Sequence, residues 1–136
     1  MKISSESFEH SRFHKDPFIS KQDADRIKAD WAGNFFAGKR GDWLITARVD
    51  GQIEGFCLLV KTNEKTAGID LMAVSNCCRR RGLAKNMISF VEKELPDLQR
   101  ITVGTQISNY PALNCYLSSG FSVYNGLYIF HYHKVN

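Results

Sequence analysis

The sequence predicts a mixed α/β sandwich, a sheet with helices packed against it. Three observations carry that expectation. First, two apolar runs flank Asp50-Gly51, a strong hairpin signal. Second, the apolar run from Ile69 to Val74 enters a basic, glycine-containing turn and leaves it in a helical pattern, which is a strand–turn–helix. Third, another strand-like run, Arg100 to Thr105, is followed by a helical pattern from Ser108 to Ser119 that ends at Gly120.

The elements follow in order. Ser20 to Phe36 reads as a helix, with Ser20 as its cap and Asp23 in its first turn. Ile27, Trp31 and Phe35 fall on one face of it. Gly38 to Asp42 is a turn, Trp43 to Val49 a strand, and Ile53 to Lys61 its hairpin partner. Asn63 to Lys65 turns the chain into a third strand, Thr66 to Val74. Arg81 to Leu95 is an amphipathic helix with Leu83, Met87, Ile88, Val91 and Leu95 inward, and Pro96 helps end it. After the strand at 100–105 and the helix at 108–119, Phe121 to Tyr124 and Leu127 to Val135 read as a closing hairpin around Asn125-Gly126.

The chain of 136 residues is expected to form one domain, 1–136, large enough to bury a core. Apolar runs fall short of membrane-spanning length, so no membrane partner is expected. The N-terminal residues lack the apolar core of a signal peptide, which makes the cytoplasm the default. Four cysteines without paired zinc-ligand spacing fit thiols in a reducing compartment, and no metal is expected. The net charge of +4 is modest and concentrated at Arg79, Arg80, Arg81 and Lys85. One cluster at a helix start suits a phosphorylated small molecule; a nucleic-acid face would need a longer basic stripe with aromatics.

That cluster is Arg79-Arg80-Arg81-Gly82-Leu83-Ala84. A strand ending in a turn that opens a helix aims several backbone N–H groups one way, and the helix dipole adds positive charge there. Such a place holds a phosphate or pyrophosphate. Gly82 and Ala84 keep the surface bare, and the arginines add charge. The Gly-Lys-Ser/Thr ending of a P-loop and the three-glycine dinucleotide fingerprint are both missing. A plain basic helix start on the surface is the alternative reading.

With this order of elements, the chain resembles the GNAT family of N-acetyltransferases. Arg79 to Ala84 matches the family's Gln/Arg-x-x-Gly-x-Gly/Ala acetyl-CoA signature. Asn109-Tyr110-Pro111-Ala112-Leu113-Asn114-Cys115-Tyr116-Leu117-Ser118-Ser119-Gly120-Phe121 matches its second motif in the Asn, the Ala, the Tyr and the Gly-Phe ending. The resemblance covers the chain from about Ser20 onward. It implies a central, mostly antiparallel twisted sheet flanked by helices and splayed between the family's fourth and fifth strands. A narrower resemblance is to the dTDP-fucosamine acetyltransferase group. It rests on Ser11 to Ile19, Trp31, Asn34, Gly38 to Asp42, Val103 to Gln106 and Tyr128 to His133. Those enzymes usually carry an N-terminal domain that is not expected in these 136 residues, and the family's first strand is barely represented. Part of a sugar-nucleotide site would then be missing or supplied by a partner.

The resemblance implies acetyl-CoA as co-substrate and a small-molecule amine as acceptor, with an amino sugar as first candidate. Met72, Ala73 and Val74 would pair their backbone with the pantetheine arm. Arg79, Arg80, Arg81, Gly82, Leu83, Ala84 and Lys85 would hold the pyrophosphate, and the Asn109 amide would bond the arm. An N–H near Met72 or Ala73 would face the thioester oxygen. Tyr116 would protonate the leaving thiolate; read without the resemblance, it is equally a core aromatic on an amphipathic helix. Arg12, His14, Trp31 and Asn34 would touch the acceptor. His14, Asp16, Glu54 and Asp70 are all candidates for the base, as is a water chain, and none is assigned. His131 and His133 alternate on one face of the last expected strand without a third metal ligand. A homodimer is a mild expectation. The other readings are acetylation of a different small amine, amino acid or peptide N-terminus, and a non-catalytic acyl-CoA-binding module.

Overall fold

The computed structural model describes residues 41–134, together with Pro17, residues 19–23, and positions 26, 27, 30, 33 and 37. Among these, helical backbone runs at 21–23 and recurs at Arg26, Ile27, Asp30 and Gly33, where a helix is expected. Ser20 Oγ accepts the Asp23 N–H at 3.1 Å and donates to the Asp23 carboxylate at 2.8 Å, so the expected cap forms. Trp31 and Phe35 lie outside the described residues.

Among the described residues, four strands form one sheet in chain order: β1 (Trp43–Val49), β2 (Gln52–Asn63), β3 (Thr66–Val74) and β4 (Arg100–Val103). The pairs β1/β2 and β2/β3 are antiparallel; β3/β4 is parallel. Asp50 and Gly51 turn β1 into β2 with φ of 50° and 79°, the primed turn that matches strand twist. Between β3 and β4 the chain crosses over through α1 (Leu83–Glu94), as a parallel pair requires. Helix α2 (Tyr110–Ser118) follows β4.

Strand β2 is the spine of the core. Phe56, Cys57, Leu58 and Leu59 are all buried, so both faces of the sheet are covered here. Phe56 and Leu58 pack with Leu71 and Ala73 on one face. On the other, Cys57 and Leu59 pack with Ala67 and with Met87 and Val91 of α1. Each fully buried leucine contributes about 1.5–3 kcal/mol. Gly55 sits where α1 comes closest: a Cβ there would stand 3.3 Å from the Met87 methyl and 3.3 Å from the Ala73 carbonyl oxygen.

The closing hairpin is a correction. Residues 121–134 form no strand. Most of their side chains stand in solvent, with Tyr128 95% and Phe130 90% exposed; Phe121 and His133 are half-buried. Alternating apolar residues and an Asn-Gly turn satisfy the local hairpin rule. A two-stranded ribbon is stable only when it packs on a third surface, and β4 offers just four residues. The segment is tied at its start instead: the Arg100 guanidinium lies 4.5 Å from the centre of the Tyr124 ring, a cation–π contact. The His131 and His133 rings still meet, 6.4 Å apart edge to face.

Candidate functional site

The sheet splays where the site is expected. Strand β4 pairs with β3 only from Thr66 to Ile69, while β3 runs on to Val74. On its other side β3 stays paired with β2 to the end: Val74 opposes Gly55, and the Ser75 N–H donates to the Glu54 carbonyl at 2.8 Å. In an antiparallel ladder, alternate residues turn their backbone groups to opposite edges. Leu71, Ala73 and Ser75 therefore face β2. Met72 and Val74 turn theirs to the edge that β4 has left. Of the three expected backbone partners, Ala73 is committed to the ladder and its side chain to the core.

Beyond β3, a short 3-10 turn (Asn76–Cys78) leads into the arginine turn. Arg80 is left-handed at φ 62°, and Gly82 is left-handed at φ 78°. Left-handed residues alternating along a turn fold successive N–H groups into an anion-binding concavity. Gly82 is the N-cap of α1, with no side-chain cap bond and no acidic residue in the first turn. The first N–H groups of α1 thus open outward without a side-chain acceptor, together with the positive end of the helix dipole. A Cβ at Gly82 would touch nothing within 4 Å, so the concavity is open to solvent. Arg79 folds back and donates its Nε–H to the Val74 carbonyl at 3.3 Å, joining the turn to the end of β3. Arg79, Arg80, Arg81 and Lys85 are exposed; Leu83 and Ala84 are half-buried.

Helix α2 brings the second motif to the same end of the sheet. Asn109 caps it, its Oδ1 accepting the Ala112 N–H at 3.3 Å. The side-chain carbonyl is thereby occupied, and the amide NH2 is the group left for a ligand. Tyr116 is half-buried, its ring 5.6 Å from Phe121 in an edge-to-face contact. Burial pushes the Tyr116 phenol well above its usual range, and the nearby Cys115 and Cys57 add to the shift. Cys57 is the cross-strand partner of Met72, so the Tyr116 phenol lies within electrostatic reach of the strand pair that carries this edge. Cys57 itself is pushed up to about 12 by burial. Cys115 is also raised by burial, partly offset by Lys85 and by a Ser119 hydrogen bond. Lys85 at the start of α1 thus lies within electrostatic reach of α2.

The family model for the acetyltransferase (GNAT) family matches residues 3–121. The chain belongs to the GNAT family. Its fold is the family's. The spore coat polysaccharide biosynthesis protein SpsD of Bacillus subtilis (strain 168) is 27% identical over 132 residues, 95% of this chain. The chain spans 45% of that relative's length. Among solved structures, the aminoglycoside N-acetyltransferase AAC(6')-Iy in complex with CoA superimposes with a TM-score of 0.60 at 17% identity, over 79% of this chain and 90% of that one. A putative streptothricin acetyltransferase from Bacillus anthracis str. Ames, in complex with acetyl coenzyme A, gives 0.59 at 26% identity, over 68% and 54%. This GNAT chain has, among the described residues, no helix long and apolar enough to cross a membrane.

Two things escaped the sequence. Nothing in Arg79-Arg80-Arg81 marks Arg80 as the left-handed residue. Nothing along the chain links Glu54 with Cys77, which the β2/β3 register brings together. Arg12, His14 and Asp16, with Trp31 and Asn34, lie outside the described residues. Asp70 sits on β3 just past the last β3/β4 pair.

Proposed function

We propose that this chain transfers the acetyl group of acetyl-CoA to the primary amine of an amino sugar, by direct attack of the amine on the thioester. The observation that carries the catalytic part is the union of two features at one end of β3: an edge left by β4 at Met72 and Val74, and the open turn from Arg79 to Gly82. The pantetheine arm adds to that edge as an extended strand would, through the backbone of Met72, while the Val74 carbonyl stays with Arg79. The pyrophosphate rests on the N–H groups from Arg80 to Ala84, with Arg79, Arg81 and Lys85 supplying charge. The Asn109 NH2 bonds the arm while its Oδ1 stays on Ala112.

A neutral amine attacks the carbonyl carbon, and an N–H of the β3 edge meets the oxyanion. When the tetrahedral intermediate collapses, the C–S bond breaks and the sulfur takes the Tyr116 proton. The attacking nitrogen loses its proton to water, which also restores the phenol. Burial raises the Tyr116 pKa, which keeps the phenol protonated, and able to act as an acid, at neutral pH.

The amino-sugar acceptor is supported by likeness to a protein named for polysaccharide biosynthesis and, in fold alone, to an aminoglycoside acetyltransferase. Four free cysteines among the described residues, and the use of acetyl-CoA, support a cytoplasmic setting. A second copy of the chain would cover the exposed Tyr124, Leu127, Tyr128, Phe130 and Tyr132, which supports a homodimer.

The test is acetyl-CoA turnover, read as released coenzyme A thiol, against panels of nucleotide-linked amino sugars, free amino sugars, amino acids and peptides. Acetylation confined to the sugar panels is expected. Turnover confined to peptides or amino acids would overturn the acceptor, and binding without turnover on any amine would point to a coenzyme-binding module.

A further inference from the structure

Glu54 and Cys77 are 23 residues apart in sequence, yet their side chains touch. The cause is register. Ser75 closes the β2/β3 ladder on Glu54, and the 3-10 turn that follows folds Cys77 and Cys78 back over the same spot. The Cys77 sulfur lies 3.7 Å from Glu54 Oε2, 3.4 Å from the Cys78 sulfur and 3.3 Å from Ser75 Oγ. Ser75 Oγ donates to that same carboxylate oxygen. The three ligand-type atoms of Glu54, Cys77 and Cys78 all lie within 4.8 Å of one another.

We propose that Glu54, Cys77 and Cys78 form a binding site for one thiophilic divalent cation, of which Zn(II) fits best. Zn–S bonds of about 2.3 Å and Zn–O bonds of about 2.0–2.2 Å place two tetrahedral sulfurs roughly 3.8 Å apart, and a sulfur and an oxygen roughly 3.5–3.7 Å apart. The 3.7 Å between the Cys77 sulfur and Glu54 Oε2 has that spacing before any ion enters, and the two sulfurs, 3.4 Å apart, need to part by about 0.4 Å to take the ion. Two sulfurs and a carboxylate favour zinc over magnesium or calcium, which take all-oxygen sites. Water completes the fourth position, as in sites with three protein ligands.

The surroundings suit the ion. Ser75 holds the carboxylate from behind, the outer-shell contact that orients a metal ligand. Two thiolates and a carboxylate leave one negative charge in excess over a divalent ion. The Arg81 guanidinium lies beside that charge, with Nη1 3.8 Å from the Cys78 sulfur, and is shared with the coenzyme phosphates. Cys77 is exposed and gives the ion its way in, while Cys78 is buried and anchors it. Filling the site pins the turn that leads to Arg79 onto strand β2.

The test uses the full, reduced chain titrated with Co(II) and then Zn(II). One equivalent of cobalt should bind with thiolate-to-metal charge-transfer absorption, and zinc should displace it. Cys77→Ser, at an exposed position, should remove most of that absorption. Ser75→Ala should weaken Zn(II) binding about tenfold through the loosened carboxylate. Zinc should also raise the melting temperature of the wild type and leave that of Cys77→Ser unchanged. Uptake of no stoichiometric metal, equal uptake by Cys77→Ser, or closure of the two sulfurs into a disulfide without metal binding would each overturn the site.

Discussion

The Ser75 N–H donates to the Glu54 carbonyl at 2.8 Å, and this one bond sets the phase of β3. Because the phase alternates, it commits Leu71 and Ala73 to β2 and turns the backbone of Met72 and Val74 to the opposite edge, past the end of β4, where Arg79 already holds the Val74 carbonyl. A strand shifted by one residue would offer the other set and would send Met72 and Val74 to the wrong face of the core.

The arginine turn separates backbone shape from charge, and two substitutions pull them apart. Arg80→Gly keeps the left-handed conformation, relieves a non-glycine residue at φ 62°, and removes one cation. Its melting temperature should hold or rise, while acetyl-CoA binding weakens about tenfold, in line with one charge-assisted contact. Gly82→Ala keeps every charge and strains φ 78°. It should cost about 1–2 kcal/mol of stability in a urea titration and also weaken the coenzyme, because its methyl enters the open concavity.

Tyr116→Phe removes the hydroxyl and preserves the ring contact with Phe121 at 5.6 Å. Steady-state kinetics should show kcat lowered about a hundredfold or more, with the KM for acetyl-CoA little changed. An unchanged kcat would return Tyr116 to the role of a packing aromatic.

Asn109 has two jobs that two variants distinguish. Asn109→Asp keeps the carbonyl-type acceptor for the Ala112 N–H and loses the NH2 donor. Thermal unfolding should be nearly unaffected while coenzyme affinity falls. Asn109→Ala should lose both, at about 1 kcal/mol of stability from the missing cap.

Alkaline pH should unfold the protein earlier than its charge alone would. Cys57 is raised from 9.0 to about 12, and Tyr116 and Cys115 shift the same way, all chiefly through burial. An acid that holds its proton more tightly when folded stabilises fully below its unfolded pKa. That stability is lost as pH climbs from about 9 towards 12, because the unfolded chain releases protons first. Urea midpoints should be flat below pH 8 and fall above pH 9, and less steeply in Cys57→Ala when each protein is compared with its own neutral value.

Much of this was legible because the local rules are strong. Asp50-Gly51 fixed a hairpin, the Met87/Val91 spacing fixed the buried face of α1, and Thr66–Val74 was bounded by turn residues on both sides. The last hairpin failed although Asn125-Gly126 obeys the same rule, since pairing depends on a surface to pack against and none is supplied by the described residues. The splay was expected only through the family resemblance. Strand β4 stops at Val103 where the run to Thr105 looked continuous, and that early stop is what frees the edge beside Met72. Which of Met72, Ala73 and Val74 faces the edge depends on ladder phase, a property of the paired strands and not of either sequence alone.

The most direct test of the central claim is amide hydrogen exchange, residue by residue, on the protein with and without acetyl-CoA. The Ala73 N–H should be protected in both states by its bond to β2. The Met72 and Gly82 N–H groups should exchange faster in the free protein and slow when the coenzyme binds. Unchanged exchange at Met72 and Gly82 under saturating acetyl-CoA would contradict the site.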